Sequence, residues 1–191
     1  MSSNHTLPDY DLEDLRIISS TTELHALAHP LREMILDLLL ERAASVAELA
    51  EAVRRPKSTV AHHVGVLLDA GLVRVTRMRR VRAIDERFYG RTARIFYIGA
   101  VEPEQVRGIA NPLVVAAGES TPAAEADTLR AILRHARISR SDAAEFWDRV
   151  FALTREFSAM PRSGEQAFGF VAGLYPTDYP SLPEPKADPP G

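Results

Sequence analysis

The stretch SVAELAEAVRRPKSTVAHHVGVLLDAGLVRVTRMRRVRAIDERFYGRTARIFYI, Ser45 to Ile98, decides the fold of this 191-residue chain. Ser45 and Glu48 have the spacing of a capping box, which opens a short helix with Leu49 and Val53 on its inward face. Arg54-Arg55-Pro56 makes a tight basic turn. A second helix is expected from about Lys57 to Ala70, with Val60, Val64, Leu67 and Leu68 as its apolar face. Lys57, Ser58, Thr59, Ala61 and His62 project from the other side, near its N-terminus, and His63 is expected to lie partly buried. Gly71 is placed for a left-handed C-cap. From Leu72 to about Arg82 the chain alternates and is rich in β-branched residues, which predicts a strand. Arg74, Thr76 and Met78 fall on one face of that strand and Val73, Val75 and Arg77 on the other. A second strand is expected over Glu86 to Ile98, with Gly90 at a bulge or bend.

Helix, turn, helix and wing in that order suit a double-stranded DNA site, with the second helix in the major groove and the wing on the flanking backbone. Charge is distributed accordingly. Arg54 to Arg94 holds 11 Lys/Arg against Asp69, Asp85 and Glu86, a net charge of +8 in a chain whose total is −3. The expected DNA contacts are Arg54, Arg55, Lys57, Ser58, Thr59, Ala61 and His62 from the turn and helix, and Arg77, Arg79, Arg80 and Arg82 from the wing. Dense like charges along a strand repel each other and are best tolerated when a polyanion neutralises them.

Upstream, Leu24, Leu27 and Ala28 mark a short helix that ends at His29, because a residue before proline is pushed out of the helical region. Pro30 then starts a helix with Leu31, Ile35, Leu38 and Leu39 as one stripe. With these residues in place, HALAHPLREMILDLLLE, VAELAEAV and KSTVAHHVGVLLDAGLVRV resemble the ArsR-type winged helix-turn-helix repressors. The resemblance spans Thr21 to Ile98, about 40% of the chain. It implies a homodimer, an operator of two half-sites and repression relieved by an effector. It also implies a dimer interface built from the first helix and the helices after the wing. Metal sensors of that family often carry a Cys-x-Cys pair on the helix before the reading helix. This chain has no cysteine, so soft-metal sensing by that route is excluded. His25 and His29 at i, i+4 have the spacing of a two-imidazole site, but His29 sits at a helix end, and His135 stands among arginines. No metal site and no cofactor are expected.

The fold class expected is mainly α with a small β-wing: a winged helix-turn-helix over 21–99 and a C-terminal helical extension. Residues 1–20 are polar and acidic and read as a flexible N-terminal segment, although Leu12, Leu15, Ile17 and Ile18 have the character to dock a short stretch. No secretory signal or spanning run is visible, so a cytoplasmic protein is expected. Residues 100–175 read as a helical dimerisation region that can also hold a ligand. A first helix there covers Pro103 to about Ala117, with Asn111-Pro112 threatening to break it. Thr121 opens another, with Leu129, Ile132, Leu133 and Ala136 as its stripe. Ser141 or Asp142 opens a third, whose Phe146, Trp147, Val150, Phe151, Leu153 and Phe157 make a broad apolar face. Leu24, Leu27, Phe146, Trp147, Val150 and Phe157 are the expected dimer contacts, with packing within the chain as the alternative use of the face. Ala167 to Tyr175, apolar and Gly-rich, either wraps the dimer or lines a small-molecule pocket. Residues 176–191 hold six prolines and read as an extended tail. Nucleophile-elbow, zinc-protease and phosphate-loop signatures are absent, so no enzyme is expected. The function expected is a sequence-specific DNA-binding transcriptional regulator, a dimeric repressor. The alternatives are a small-molecule sensor module and a winged-helix protein that binds another protein.

Overall fold

The computed structural model describes residues 8–81, 84–98, 109, 111–162 and 164–180. In chain order the elements are β1 (Glu13–Ile18), α1 (Thr21–Leu27), α2 (Pro30–Leu38), β2 (Ala44–Ser45), α3 (Val46–Ala52), α4 (Lys57–Asp69), β3 (Val73–Val81), β4 (Ile84–Arg91), β5 (Ala93–Ile98), α5 (Pro112–Glu119), α6 (Thr121–Glu125) and α7 (Arg140–Ala159). One sheet has the order β2-β4-β3 and is antiparallel; the other pairs β1 with β5 in parallel.

Local chemistry sets the helix boundaries. Ser20 and Glu23 form a capping box at α1, and Ser45 and Glu48 form the expected one at α3. α1 ends at Leu27 with Ala28 as its C-cap, and His29, expected to close it, instead caps α2: its Nδ1 accepts the Leu31 N–H at 3.1 Å. The last carbonyls of α1, at His25 and Ala26, accept from the buried guanidinium of Arg32, a cation at a helix C-terminus. Gly71 takes φ +69° after α4, where side chains are disfavoured. Ile35, Leu39, Leu49, Val60, Leu67 and Leu72 meet in one core among α1–α4 and the sheet.

The N-terminal segment departs from expectation. From residue 8 onward it is built into the fold. Ile18 is fully buried, and β1 runs beside β5 from Glu13↔Ala93 to Ile18↔Ile98. The Tyr10 hydroxyl donates to the Leu39 carbonyl and accepts the Arg91 N–H, and its ring lies over Gly90. That contact explains Gly90, which is no bulge but pairs with Arg74. A Cβ there would stand 2.6 Å from the Tyr10 ring and 2.7 Å from Thr76 Cγ2. The bulge falls instead on β3, between Val75 and Arg77. The second strand of the wing is two strands, divided at Thr92.

The C-terminal half also differs from its sequence pattern. Of the helix expected over Pro103 to about Ala117, residues 103–108 and 110 lie outside the described residues; α5 begins at the Asn111-Pro112 step, with Asn111 as its N-cap. The helix opened at Thr121 stops at Glu125, so Leu129, Ile132, Leu133 and Ala136 carry no regular structure, and Ile132 is 83% exposed. α7 is capped by Ser139, two residues before Ser141. Among the described residues no helix is long and apolar enough to cross a membrane.

Candidate nucleic-acid interface

The turn between α3 and α4 is a helix C-cap closed on itself. Arg54 N–H donates to Glu51 O, Arg55 N–H donates to Ala50 O, and Arg54 takes φ +52°, the left-handed region a non-glycine residue rarely adopts. Both arginines are exposed. Pro56 is then the N-cap of α4 and offers no side-chain acceptor, so the first-turn amides of this 13-residue helix stay open to an outside anion. Lys57, Ser58, Ala61 and His62 are exposed there, and Thr59 is half-buried. Val60, His63, Val64 and Leu67 point the other way, into the core. The expected contact residues of turn and helix thus share one solvent-facing surface.

The wing is more structured than an alternating strand. The bulge changes the faces expected of this strand: Val75 pairs with Tyr89 and Arg77 with Phe88, so Arg77 leaves the face of Val75, and Arg77 and Arg79 both lie over the Phe88 ring, at 4.5 and 5.3 Å from its centroid. Carboxylates of the same chain accompany them. Arg77 pairs with Asp9 at 2.6 Å and Arg79 with Glu86 at 2.8 Å. Burial alone would raise the Asp9 carboxyl, but the Ala43 N–H and the Arg77 guanidinium outweigh it and hold Asp9 below the usual carboxylate range. Hydrogen bonds from Arg79 and Ser45 lower Glu86 in the same way. Like charge on β3 is therefore balanced in part within the chain, and not only by a polyanion. Arg80 is exposed and, among the described residues, makes no ion pair. Arg82 lies outside the described residues. A groove lined by Ser45, Glu48, Arg55, Lys57, Arg79 and Glu86 separates the α3–α4 turn from the wing.

Asp9 was missed by sequence reasoning. Its only signal was an acidic residue in an acidic segment, and the partner it balances is 68 positions away. Arg91 was counted with the basic patch but faces inward. It is 5% exposed and donates to the Leu36, Ala93 and Arg94 carbonyls; burial pushes it down to about 10, still charged at neutral pH.

Of the expected dimer contacts, Leu24 is 1% exposed in the chain's own core, which removes it from any surface a partner could touch. Leu27 is half-buried against that core. In α7, Phe146 is exposed while Trp147, Val150 and Phe157 are half-buried, and the helix has no fully buried residue. Among the described residues it meets the rest where Tyr97 lies edge-on to Phe151 at 5.2 Å, Arg155 pairs with Asp14, the Arg94 guanidinium donates to the Ser158 carbonyl and Phe157 touches Phe170. Ala167 to Tyr175 has no regular structure, and Phe168 is 73% exposed.

A helix-turn-helix domain model matches residues 27–76. No curated protein matches the chain. Among solved structures, HlyU from Vibrio cholerae is 24% identical over 50% of this chain and 86% of its own, with a TM-score of 0.32. Rv0081 of M. tuberculosis is 29% identical over 55% and 87%, with a TM-score of 0.31. The transcriptional repressor BigR from Xylella fastidiosa is 28% identical over 57% and 86%, with a TM-score of 0.30. The matched residues run from the end of α1 through α4 into β3 and include Arg54, Arg55 and Lys57, while Arg77, Arg79 and Arg80 lie just past them. With the β3–β4 hairpin behind that match, the chain carries a winged helix-turn-helix domain.

Proposed function

We propose that this chain is a cytoplasmic, homodimeric repressor that occupies an operator near a promoter and is released by a small-molecule effector. The observation that carries the DNA-binding part is the joint surface of Arg54, Arg55, Lys57, Ser58 and His62, with the open amides of α4 at its centre and the β3 arginines beside it. Helix N-terminal residues reach base edges, while arginines on a hairpin hold phosphate or a narrow minor groove. The half-exposed aromatic face of α7 and the exposed Ala167–Tyr175 segment support a role for this half in pairing two chains. The chemistry assigned is binding alone, with no catalytic residue.

Selection of bound sequences from random duplex DNA, followed by footprinting, tests the proposal. A two-fold dimer places its reading helices about one DNA turn apart, ~34 Å, so a near-palindrome is expected. Protection of a single asymmetric half-site by a monomer would overturn the dimeric part. A salt dependence of affinity near zero would overturn the DNA-binding part, since phosphate contacts release counterions.

A further inference from the structure

His63 sits on the inward side of the reading helix, 9% exposed, and among the described residues its Nδ1 has no hydrogen-bond partner. Its ring packs against His29, centroid to centroid 4.4 Å, and His29 is the residue whose Nδ1 caps α2. The neutral imidazole suits this place: a bare Nδ1 lone pair is tolerable there. The imidazolium does not, because it would carry a second N–H with no acceptor and a buried charge. The groups facing it offer no relief. They are His29 and the guanidinium of Arg32 from the start of α2, and His62 from α4 itself, whose ring lies 5.4 Å away. Among the described residues, α3 and β3, the other elements packed on α4, set no carboxylate against it.

We propose that the His29–His63 contact is a proton-operated catch that seats the reading helix α4 on the N-terminus of α2 and releases it in mild acid. Burial first, and then His29, Arg32 and His62, hold the His63 pKa below its ordinary value. The unfolded chain therefore takes up this proton more readily than the folded one. The contact's full contribution is present above about pH 6.5, the ordinary histidine value, and is lost as pH falls below it. Acid weakening of DNA binding would thus rest on the DNA-binding function proposed above and on the catch together.

Denaturant unfolding of the full chain at pH 7.5 and 5.5 tests the catch without DNA. A proton that the folded state takes up less readily than the unfolded chain raises the unfolding constant as pH falls, by at most about tenfold at one unit below the ordinary value. The expected result is that this rise appears in the parent and is absent from His63→Phe, which keeps a ring and cannot titrate. His29→Asn keeps a cap acceptor and removes the facing imidazole, and should show a smaller rise than the parent. An equal rise in the parent and in His63→Phe would overturn the proposal. Should His63→Phe not fold, the imidazole titration of the parent by NMR decides. A midpoint below 6.5 supports the catch, and one at or above 6.5 overturns it. Binding of the selected duplex at the two pH values then separates the two ideas. Weakening in the parent and not in His63→Phe joins catch to function. An absence of binding at pH 7.5 defeats the function alone, and the unfolding comparison still decides the catch.

Discussion

At the scale of single residues, the arginines of the wing are not equivalent. Each phosphate contact contributes about 0.9 to the log–log salt slope. Arg80 is exposed and makes no ion pair among the described residues, so Arg80→Ala should cost that full amount, whereas Arg79 must first leave Glu86. The double change Arg79→Ala/Arg80→Ala should flatten the slope by between about 0.9 and 1.8 and weaken operator and scrambled duplexes alike. His62→Ala or Thr59→Ala should instead cost ~1–3 kcal/mol on the operator and leave scrambled DNA nearly unchanged. Titrations of both sets over a salt series check this, and loss of operator binding alone by the wing variants would reverse the roles. Gly90 gives a second prediction. A methyl group would meet Tyr10 and Thr76, so Gly90→Ala should lose ~1–3 kcal/mol in denaturant unfolding. Tyr10→Ala in the same chain should recover part of that loss, since the two sites share one contact.

Among elements, legibility tracked how local the determinant was. α3, its turn and α4 were readable because Ser45, Glu48, Pro56 and Gly71 act within a few residues of themselves. The Ser20–Glu23 box has the same spacing as Ser45–Glu48, but it follows an acidic stretch that reads as solvated. β1 could not be read there, since its strand character comes from β5, about 80 residues further on. The bulge at Val75/Arg77 was equally hidden, because it is decided by the register against β4. The reverse failure is Leu129 to Ala136. Its helical spacing is real, yet periodicity does not make a helix where, among the described residues, no neighbour buries the stripe. Ile18→Ala tests the revised view of the N-terminal segment. A fully buried isoleucine should cost ~2–5 kcal/mol in denaturant unfolding, whereas a flexible segment would give almost nothing.

For the whole molecule, the two halves invite different expectations. Removing residues 100–191 should leave a folded domain, because the core cluster of Ile18 to Val73 lies outside them. It should also remove Phe146, Trp147, Val150 and Phe157, whose burial against a partner would contribute ~1.5–3 kcal/mol each. Sedimentation should find a monomer with operator affinity reduced by orders of magnitude, since two tethered half-site readers lose their effective concentration. A stable dimer at micromolar concentration would move the interface to the N-terminal helices. The parallel pairing of Glu13 with Ala93 also governs how the chain is made. The first strand leaves the ribosome about 80 residues before its partner, an interval of ~4–16 s at ordinary synthesis rates. Through that interval the acidic stretch and the emerging arginines of β3 share one nascent chain, while Asp9 and Tyr10 still await their seats. Closing the last strand is then a late, long-range event laid over a helical core already assembled.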